Sequence, residues 1–300
     1  MCAPYIMDSV QKRINRRNIL KAAGAATAAA TTAGCITSDH SHASTSSTKT
    51  ESSRLNPISY SHVVDLTHTL HKGFPAWFVG GQELTSRAGR TFLPPPVIDV
   101  KPMFEWEHEK VNLNQITYWE HVGTHMDAPA HFSQNDTVEK IPAEDLVLNL
   151  AVIDIKAKAA SDPLALMTLE DLKRWEAKHG PIPDRSLVAM NSGWAKHLNT
   201  PKFKSLDANS KHRQPAMHIE AIQFLMEERN VIAIGVDTFS FDNQHSPDFD
   251  VHYKWLGDNR WGIENMNNLD DAPPVGATVI VGQPKIQNGT GGPNRVLALV

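Results

Sequence analysis

Residues 121–131 read HVGTHMDAPAH, a segment that places three histidines and one aspartate at fixed offsets around a glycine and a proline. Histidine supplies 15 of the 300 residues, so a chance HxxxHxDxxxH is expected in roughly one such chain in several hundred. A single histidine is usually a surface or hydrogen-bonded core residue, but this grouping calls for a different explanation. The segment predicts a metal centre with an acid/base histidine beside it.

The residue types in this segment indicate a transition metal. Neutral imidazole and carboxylate together suit Zn, Mn or Fe(II), whereas Ca and Mg favour sets of oxygen ligands. Gly123 and Pro129 disfavour an uninterrupted helix, so we expect the ligands to converge from a turn or a short helical start. His121 and His125 are the predicted imidazole ligands, and Asp127 either coordinates one ion or bridges two.

His131 follows the proline and is the candidate for an unligated general acid/base. A bound metal ion lowers the pKa of its water from about 15.7 towards 7 and polarises a carbonyl group, so a hydroxide nucleophile is available at neutral pH. His131 would take a proton from the attacking water and return it to a leaving nitrogen. Hydrolysis of an amide bond is therefore feasible at such a site.

The segment also resembles a known family at every specified position of its HxGTHxDxPxH hallmark. This is the family of cyclase-like metal-dependent hydrolases, which includes kynurenine formamidase and isatin hydrolase. The similarity continues along the chain from about Asp65 to the end. Further matching segments, in the family's order, are Asp65-Leu66-Thr67, Phe74-Pro75-Ala76-Trp77, Gly235-Val236-Asp237-Thr238, Asp248-Phe249-Asp250-Val251-His252 and Ile263-Glu264-Asn265.

The resemblance implies a full set of site residues. It places His121, His125 and Asp127 on one metal ion, shares Asp127 and Glu264 with a second ion, and completes that second site with His252. Trp77 is implied as a substrate contact that supplies a flat apolar wall. The resemblance also implies a single domain with the swivelling β/β/α cyclase-like fold over residues 59–300, assembled as a homodimer or homotetramer.

Three function classes follow from these observations. The leading one is a metal-dependent amidohydrolase that uses Zn or Mn, one or two ions per subunit, to open a cyclic amide or cleave an N-formyl or aryl amide. The second is a metal-dependent lyase or cyclase acting on an oxygenated carbon substrate. The third is a non-enzymatic periplasmic protein that binds a metal or a small molecule, which would have no need of His131 as an acid/base.

Composition limits the partners. The net charge of −4 gives no basic surface for nucleic acid, and we find no nucleic-acid recognition motif. The two cysteines, Cys2 and Cys35, both precede the predicted folded region, so the mature domain has neither a disulfide framework nor a cysteine nucleophile. We expect a small aromatic or cyclic amide as the partner.

The first 35 residues are predicted to be an export signal. Arg16-Arg17 resembles a twin-arginine motif, and a mildly apolar, alanine-rich stretch follows it. A flexible polar linker is expected over residues 36–58. The protein is thus predicted to be periplasmic or secreted. Thr32-Ala33-Gly34-Cys35 also resembles a lipoprotein cleavage box, and a lipid on Cys35 would be the protein's membrane contact.

The remaining pattern alternates short β-branched runs with amphipathic helices, which indicates the α/β class. Irregular stretches are expected over 85–110 and 199–215, as lids or subunit contacts, and a tight turn over 289–292. Asp237 and Ser240 are expected either to orient site groups or to make structural hydrogen bonds. Predicted strands are 151–155, 186–190, 231–236, 277–281 and 295–299, and predicted helices are 168–179 and 218–229.

Overall fold

A mixed β-sheet with helices packed against one face forms the centre of the protein. The computed structural model describes residues 59–76, 84–85, 89, 91–92, 97–204, 213–246 and 248–300. Its strands are β1 (Val63–Asp65), β2 (Leu84–Thr85), β3 (Thr91–Phe92), β4 (Ile98–Phe104), β5 (Leu113–Tyr118), β6 (His125–Asp127), β7 (Val147–Asp154), β8 (Leu166–Met167), β9 (Ser186–Asn191), β10 (Ala216–Met217), β11 (Ala233–Val236), β12 (Trp261–Glu264), β13 (Ala277–Gly282), β14 (Gly291–Pro293) and β15 (Arg295–Leu299). Its helices are α1 (Trp106–Glu109), α2 (Lys156–Ser161), α3 (Leu169–His179), α4 (Ile219–Glu227) and α5 (Asp250–Gly257).

Within the described residues, nine strands form the main sheet in the order β1-β15-β13-β7-β9-β11-β12-β6-β14. The middle of the sheet, β7-β9-β11-β12, is parallel, and the strands on either side are antiparallel. Parallel strands need cover on both faces, and they therefore read as continuous apolar runs. This explains why Ser186–Asn191 and Ala233–Val236 are buried at every position.

The helices cover one face of this parallel region. Ala151 and Ile153 of β7 point towards them and pack in one core with the helical residues Trp175, Leu225 and Trp255. Alternation along each strand sends the neighbouring side chains to the opposite face. The same strands therefore contribute side chains to two hydrophobic cores, one on each face of the sheet.

On its other face, the sheet curls around a second hydrophobic core. Residues 291–299 are extended almost without interruption, and their first part, β14, pairs with β6 near one end of the sheet. Their second part, β15, pairs with β13 and β1 at the opposite end, and an isolated bridge joins Thr67 to Met266. The sheet is therefore curled into a half-barrel that encloses a core from both ends, including Leu66, Met126, Val279 and Val296.

The predicted strands and helices are confirmed with shifts of a few residues at their ends. The helix predicted from Thr168 has its capping interaction there, because the Thr168 N–H donates to Asp171 at 2.8 Å. It ends at Gly180, which has φ of 87°. The α/β class is confirmed. Among the described residues, no helix combines the length and apolar character needed to cross a membrane.

Two of the predicted irregular stretches contain regular strands among their described residues. Residues 98–104 were expected within a lid but form β4, which pairs with β5 in an exposed two-stranded hairpin. Residues 291–292 were expected in a turn over 289–292 but belong to β14, because their backbone pairs with β6. The other stretch, 199–215, has turns at 199–204, and residues 205–212 lie outside the described part of the chain.

Candidate metal centre

The five predicted metal ligands lie close together beside the paired strands β6 and β12. His125 and Asp127 share a face of β6, because alternate residues of a strand point the same way. Antiparallel pairing sets Glu264 of β12 directly opposite His125. His252 enters from α5, and His121 lies in the turn that precedes β6.

The distances among these side chains are short. His125 Nε2 lies 3.3 Å from Asp127 Oδ1 and 3.5 Å from Glu264 Oε2. His252 Nε2 lies 3.4 Å from Asp127 Oδ2 and 3.2 Å from Glu264 Oε1. His121 Nδ1 lies 2.7 Å from Asp127 Oδ1. The two carboxylates are thus surrounded by imidazole nitrogens, and all of these residues except the half-buried His121 are buried.

The remaining ring nitrogens of two histidines are engaged elsewhere. His125 Nδ1 lies 2.9 Å from the Gly123 carbonyl oxygen, and His252 Nδ1 lies 2.6 Å from Asp242 Oδ2. Because these oxygens only accept, each Nδ1 carries the proton and donates. In the neutral rings, both Nε2 lone pairs then face the carboxylates, which is the orientation of a metal ligand.

These residues fit a divalent metal ion. His125 Nε2 and Asp127 Oδ2 are buried and have no hydrogen-bond partner among the described residues, and such atoms normally find one. Ligand atoms of His125, Asp127 and Glu264 lie within 4.8 Å of one another. A cation would satisfy the orphaned atoms and neutralise the carboxylates, and the mixed nitrogen and oxygen set suits Zn or Mn.

The charged groups in the site shift one another's pKa values. Burial and the negative charge of Asp127 raise the pKa of Glu264. Burial also opposes ionisation of Asp127, but the adjacent His131, His121 and His125 hold the pKa of its carboxyl well below its usual range. Burial alone would lower the pKa of His252, yet the adjacent carboxylates of Asp127, Asp242 and Glu264 raise it. The protein alone therefore attracts positive charge to this place.

His131 lies beside the carboxylate cluster on a short 3-10 turn, Pro129–His131. Its ring stacks on His121 with 3.7 Å between the ring centroids, and burial lowers the pKa of His131 to about 3. Ligand atoms of His121, Asp127 and His131 also lie within 4.8 Å of one another. The residue expected to act as an acid/base is thus within reach of the same cluster.

The site opens into a cavity of about 550 Å³. Trp119, Phe132 and Phe249 give it an aromatic wall, and Ala76 and Ser240 also line it. Sequence reasoning missed these three aromatic residues, although each stands within three residues of a predicted site histidine, which was a usable signal. Trp77, the predicted substrate contact, lies outside the described residues.

Phe249 has an unusual backbone. It precedes α5 in the left-handed region, with φ of 62° and ψ of 48°, which is costly for a bulky side chain. Its ring centroid lies 5.4 Å from that of Phe132. The strain therefore coincides with the aromatic wall of the cavity.

The sequence left the roles of two polar residues, Asp237 and Ser240, open, and the structure gives them different surroundings. Asp237 accepts hydrogen bonds from the Ser192 and Trp194 backbone N–H groups at 3.1 and 2.7 Å, and so anchors the loop after β9. Ser240 instead lines the cavity. Sequence reasoning missed Asp242, which holds His252.

A buried group of imidazoles and carboxylates beneath an aromatic cavity, on a curled α/β sheet, is the arrangement expected of a metal-dependent hydrolase. The family model described as "putative cyclase" matches residues 64–243. The chain belongs to this family. A model of the twin-arginine translocation signal sequence matches residues 13–33, which supports export by that pathway.

Individual relatives agree with this classification. The isatin hydrolase of Roseibium aggregatum is 30% identical over 230 residues, covering 68% of this chain and 87% of the relative. The kynurenine formamidase of Salinibacter ruber is 26% identical over 194 residues, covering 64% and 81%. The structure of isatin hydrolase A from Labrenzia aggregata bound to benzyl benzoate superposes with a TM-score of 0.71 and 34% identity, covering 80% of this chain and 93% of that one. The predicted family, the cyclase-like fold and the amidohydrolase class are confirmed.

Proposed function

We propose that this protein is an exported amidohydrolase that uses a divalent metal to cleave a cyclic amide or an N-formyl or aryl amide of a small aromatic molecule. One observation carries the proposal. Three imidazoles and two carboxylates converge at the floor of the aromatic cavity, and His125 Nε2 and Asp127 Oδ2 are left there without a partner among the described residues.

The proposed metal ligands are His121, His125, Asp127, His252 and Glu264, and they would hold one or two ions of Zn or Mn. The resemblance to the family assigns Asp127 and Glu264 to both ions. When bound, the metal supplies a Lewis acid that acidifies water and polarises a carbonyl group.

The protein's own residues supply proton transfer. His131 stands beside the cluster, where burial lowers its pKa to about 3, so its ring is neutral and one ring nitrogen has a free lone pair. We assign it the role of general base towards water and then of general acid towards the leaving nitrogen. Amide cleavage needs this second step, because an amine leaves far more easily once it is protonated.

The aromatic wall selects the substrate. Trp119, Phe132 and Phe249 offer flat apolar surfaces, and aromatic rings stack favourably on such surfaces. The names of the two curated relatives point to the same substrate class, a bicyclic aromatic lactam in one case and an aryl formamide in the other. Trp77 is proposed to complete the wall.

Location and assembly are further parts of the proposal. Export by the twin-arginine pathway would place the enzyme in the periplasm or outside the cell, with a lipid on Cys35 as its membrane anchor. We further propose a homodimer or homotetramer. The apolar face of the β4–β5 hairpin supports this assembly, since Val100 and Ile116 lie opposite each other and are 44% and 57% exposed.

The test is turnover in ¹⁸O-labelled water. Protein purified without chelators is analysed for metal and incubated with isatin, with an N-formyl arylamine and with a matched aliphatic formamide. We expect stoichiometric Zn or Mn, a new carboxylate carrying one ¹⁸O atom, and a preference for the aromatic substrates.

Other outcomes would contradict the proposal in distinct ways. Protein with no stoichiometric transition metal would remove the metal centre. Binding of aromatic amides without turnover would indicate a binding protein. A product formed by carbon–oxygen cleavage without ¹⁸O would indicate a lyase.

A further inference from the structure

Thr290 contacts two adjacent residues, Glu120 and His121, that lie 170 and 169 positions before it in the sequence. Its hydroxyl Oγ1 lies 2.7 Å from Glu120 Oε2 and 3.1 Å from His121 Nε2. Its backbone N–H donates to the other oxygen of the same carboxylate, Glu120 Oε1, at 3.1 Å. Thr290 thus donates a hydrogen bond to each of the two carboxylate oxygens of Glu120.

The direction of the hydrogen bonds follows from counting protons. A threonine hydroxyl has one proton, and the Glu120 carboxylate can only accept. The hydroxyl proton therefore points to Glu120, and its oxygen must accept from His121. His121 Nε2 then carries a proton, so in the neutral ring the lone pair is on Nδ1, which lies 2.7 Å from Asp127 Oδ1.

The three candidate imidazole ligands thus differ in how they are oriented. His125 uses the carbonyl of Gly123, two residues before it, and His252 uses Asp242, ten residues before it. Thr290, in contrast, stands 169 residues after His121. His121 is also the least buried of the three rings, so it has the most freedom to turn away.

The segment that carries Thr290 also packs directly on the His121 ring. A Cβ added at Gly291 would lie 2.6 Å from His121 Cε1 and 2.4 Å from the Met126 carbonyl oxygen, so a side chain there would collide with both. The chain therefore has to present the Thr290 hydroxyl at a fixed position against the ring.

We propose that Glu120 and Thr290 are positioning residues that hold His121 in the Nε2–H tautomer, with Nδ1 aimed at the metal. The inference rests on the proposed function, because it assigns a role towards the same metal site. Outer partners of metal-bound histidines typically change metal affinity by about 10- to 100-fold when they are removed.

The sharpest variant is Glu120→Gln. The Thr290 backbone N–H requires an oxygen in front of it, so the glutamine would turn its NH₂ towards the Thr290 hydroxyl. That hydroxyl would then have to donate to His121 Nε2, which reverses the relay and moves the ring proton to Nδ1. A nearly isosteric change thus removes the ligating lone pair.

Mn²⁺ affinity is measured by competition with a chromophoric chelator for the wild type and four variants of the full chain. We expect a loss of about 10- to 100-fold for Glu120→Gln and Thr290→Val, and near wild-type affinity for Thr290→Ser, which retains the hydroxyl. The matched control is Glu139→Gln. Glu139 accepts from the Asn288 N–H of the same loop at 3.1 Å but does not contact His121, so Mn²⁺ affinity should not change.

A second readout is the imidazole ¹⁵N spectrum of the protein loaded with diamagnetic Zn²⁺. We expect His121 to carry its proton on Nε2 in the wild type and in Thr290→Ser, but not in Glu120→Gln. Wild-type Mn²⁺ affinity in both Thr290→Val and Glu120→Gln, or an Nδ1–H tautomer in the wild type, would overturn the inference. A wild type that binds no transition metal would contradict the proposed function instead.

Discussion

His131 is the residue at which proton transfer can be separated from metal binding. If it acts only as general acid and base, His131→Ala should keep its metal but lose turnover, with kcat reduced by about 10²- to 10⁴-fold. Metal content by elemental analysis and kcat on an aromatic amide would be measured on the same preparation. His108→Ala, an exposed change on α1, is the matched control.

Loss of metal from His131→Ala would show that the residue is a ligand. Its position makes this a real alternative, because His131 has a ligand atom within 4.8 Å of those of His121 and Asp127. Full activity with full metal content would remove His131 from the mechanism altogether.

His68 should make the stability of the protein depend on pH. Burial lowers its pKa to about 4, from the ordinary value of 6.5. The folded protein therefore binds fewer protons at His68 than the unfolded chain between these two values, so this stabilisation is complete above pH 6.5 and is lost as the pH falls towards 4. The loss is at most about 3 kcal/mol.

The measurement is urea unfolding of metal-free protein at pH 7.5 and pH 5.0. His68→Gln should show a smaller difference in unfolding free energy between the two pH values than the wild type, whereas His62→Gln, at an exposed position, should not. Equal pH dependence in the wild type and His68→Gln would mean that His68 titrates normally.

At the scale of single residues, the sequence predicted those site residues that belong to a local motif. Imidazole and carboxylate spacing within residues 121–131 could be interpreted directly, and the family resemblance added His252 and Glu264. Glu120 and Thr290 could not be paired in advance, because nothing in the sequence indicates that β14 lies beside β6. Their contact is a product of how the sheet closes.

At the scale of the element, β12 should tolerate no side chain at Gly262. A Cβ there would lie 2.5 Å from Phe241 Cζ, and Phe241 is fully buried with its ring centroid 4.9 Å from that of His252. We expect Gly262→Ala to lower the unfolding free energy by about 1–3 kcal/mol through overpacking. Mn²⁺ affinity should fall as well, because Phe241 would press on His252.

Gly257→Ala is the control for this prediction, since a Cβ at Gly257 meets nothing within 4 Å. The unfolding free energy of both variants would be measured by denaturant unfolding, and their Mn²⁺ affinity by titration. A Gly262→Ala protein with wild-type stability and affinity would mean that Phe241 moves without affecting the site.

Predictions of elements succeeded where the pattern had one interpretation. Strands such as Ser186–Asn191 are apolar runs bounded by turn residues, and Leu169–His179 begins with a capping residue and ends at a glycine. The β4–β5 hairpin was missed because its outer half is exposed and its one proline, Pro102, resembles a loop signal. Gly291–Pro293 was missed because its strand conformation comes from pairing with β6 and not from its own propensity.

At the scale of the whole molecule, the export signal and the metal site have to be considered together. The twin-arginine pathway carries folded proteins, and the candidate ligands come from distant parts of the chain that meet only in the folded sheet. Metal can therefore bind before export, in the compartment where the chain folds. The sequence alone predicted both features, since each rests on a motif.

The hairpin gives the last prediction, because its exposed apolar face needs a covering surface. Ile98 and Tyr118 at its base pack on the body of the protein, and Val100 pairs with Ile116 further out on the same face. The neighbouring Thr117 points to the opposite face and is also exposed. If a second copy of the chain covers the first face, this explains why apolar residues are confined to it and a polar residue lies on the other face.

Ile116→Lys should therefore shift the protein towards monomer in light scattering coupled to size exclusion, while Thr117→Lys should leave the oligomer intact. The two substitutions add the same charge one residue apart on opposite faces, so a general effect of charge would affect both equally. A wild type that is monomeric at tens of micromolar, or equal dissociation of the two variants, would mean that this hairpin face is not the subunit contact.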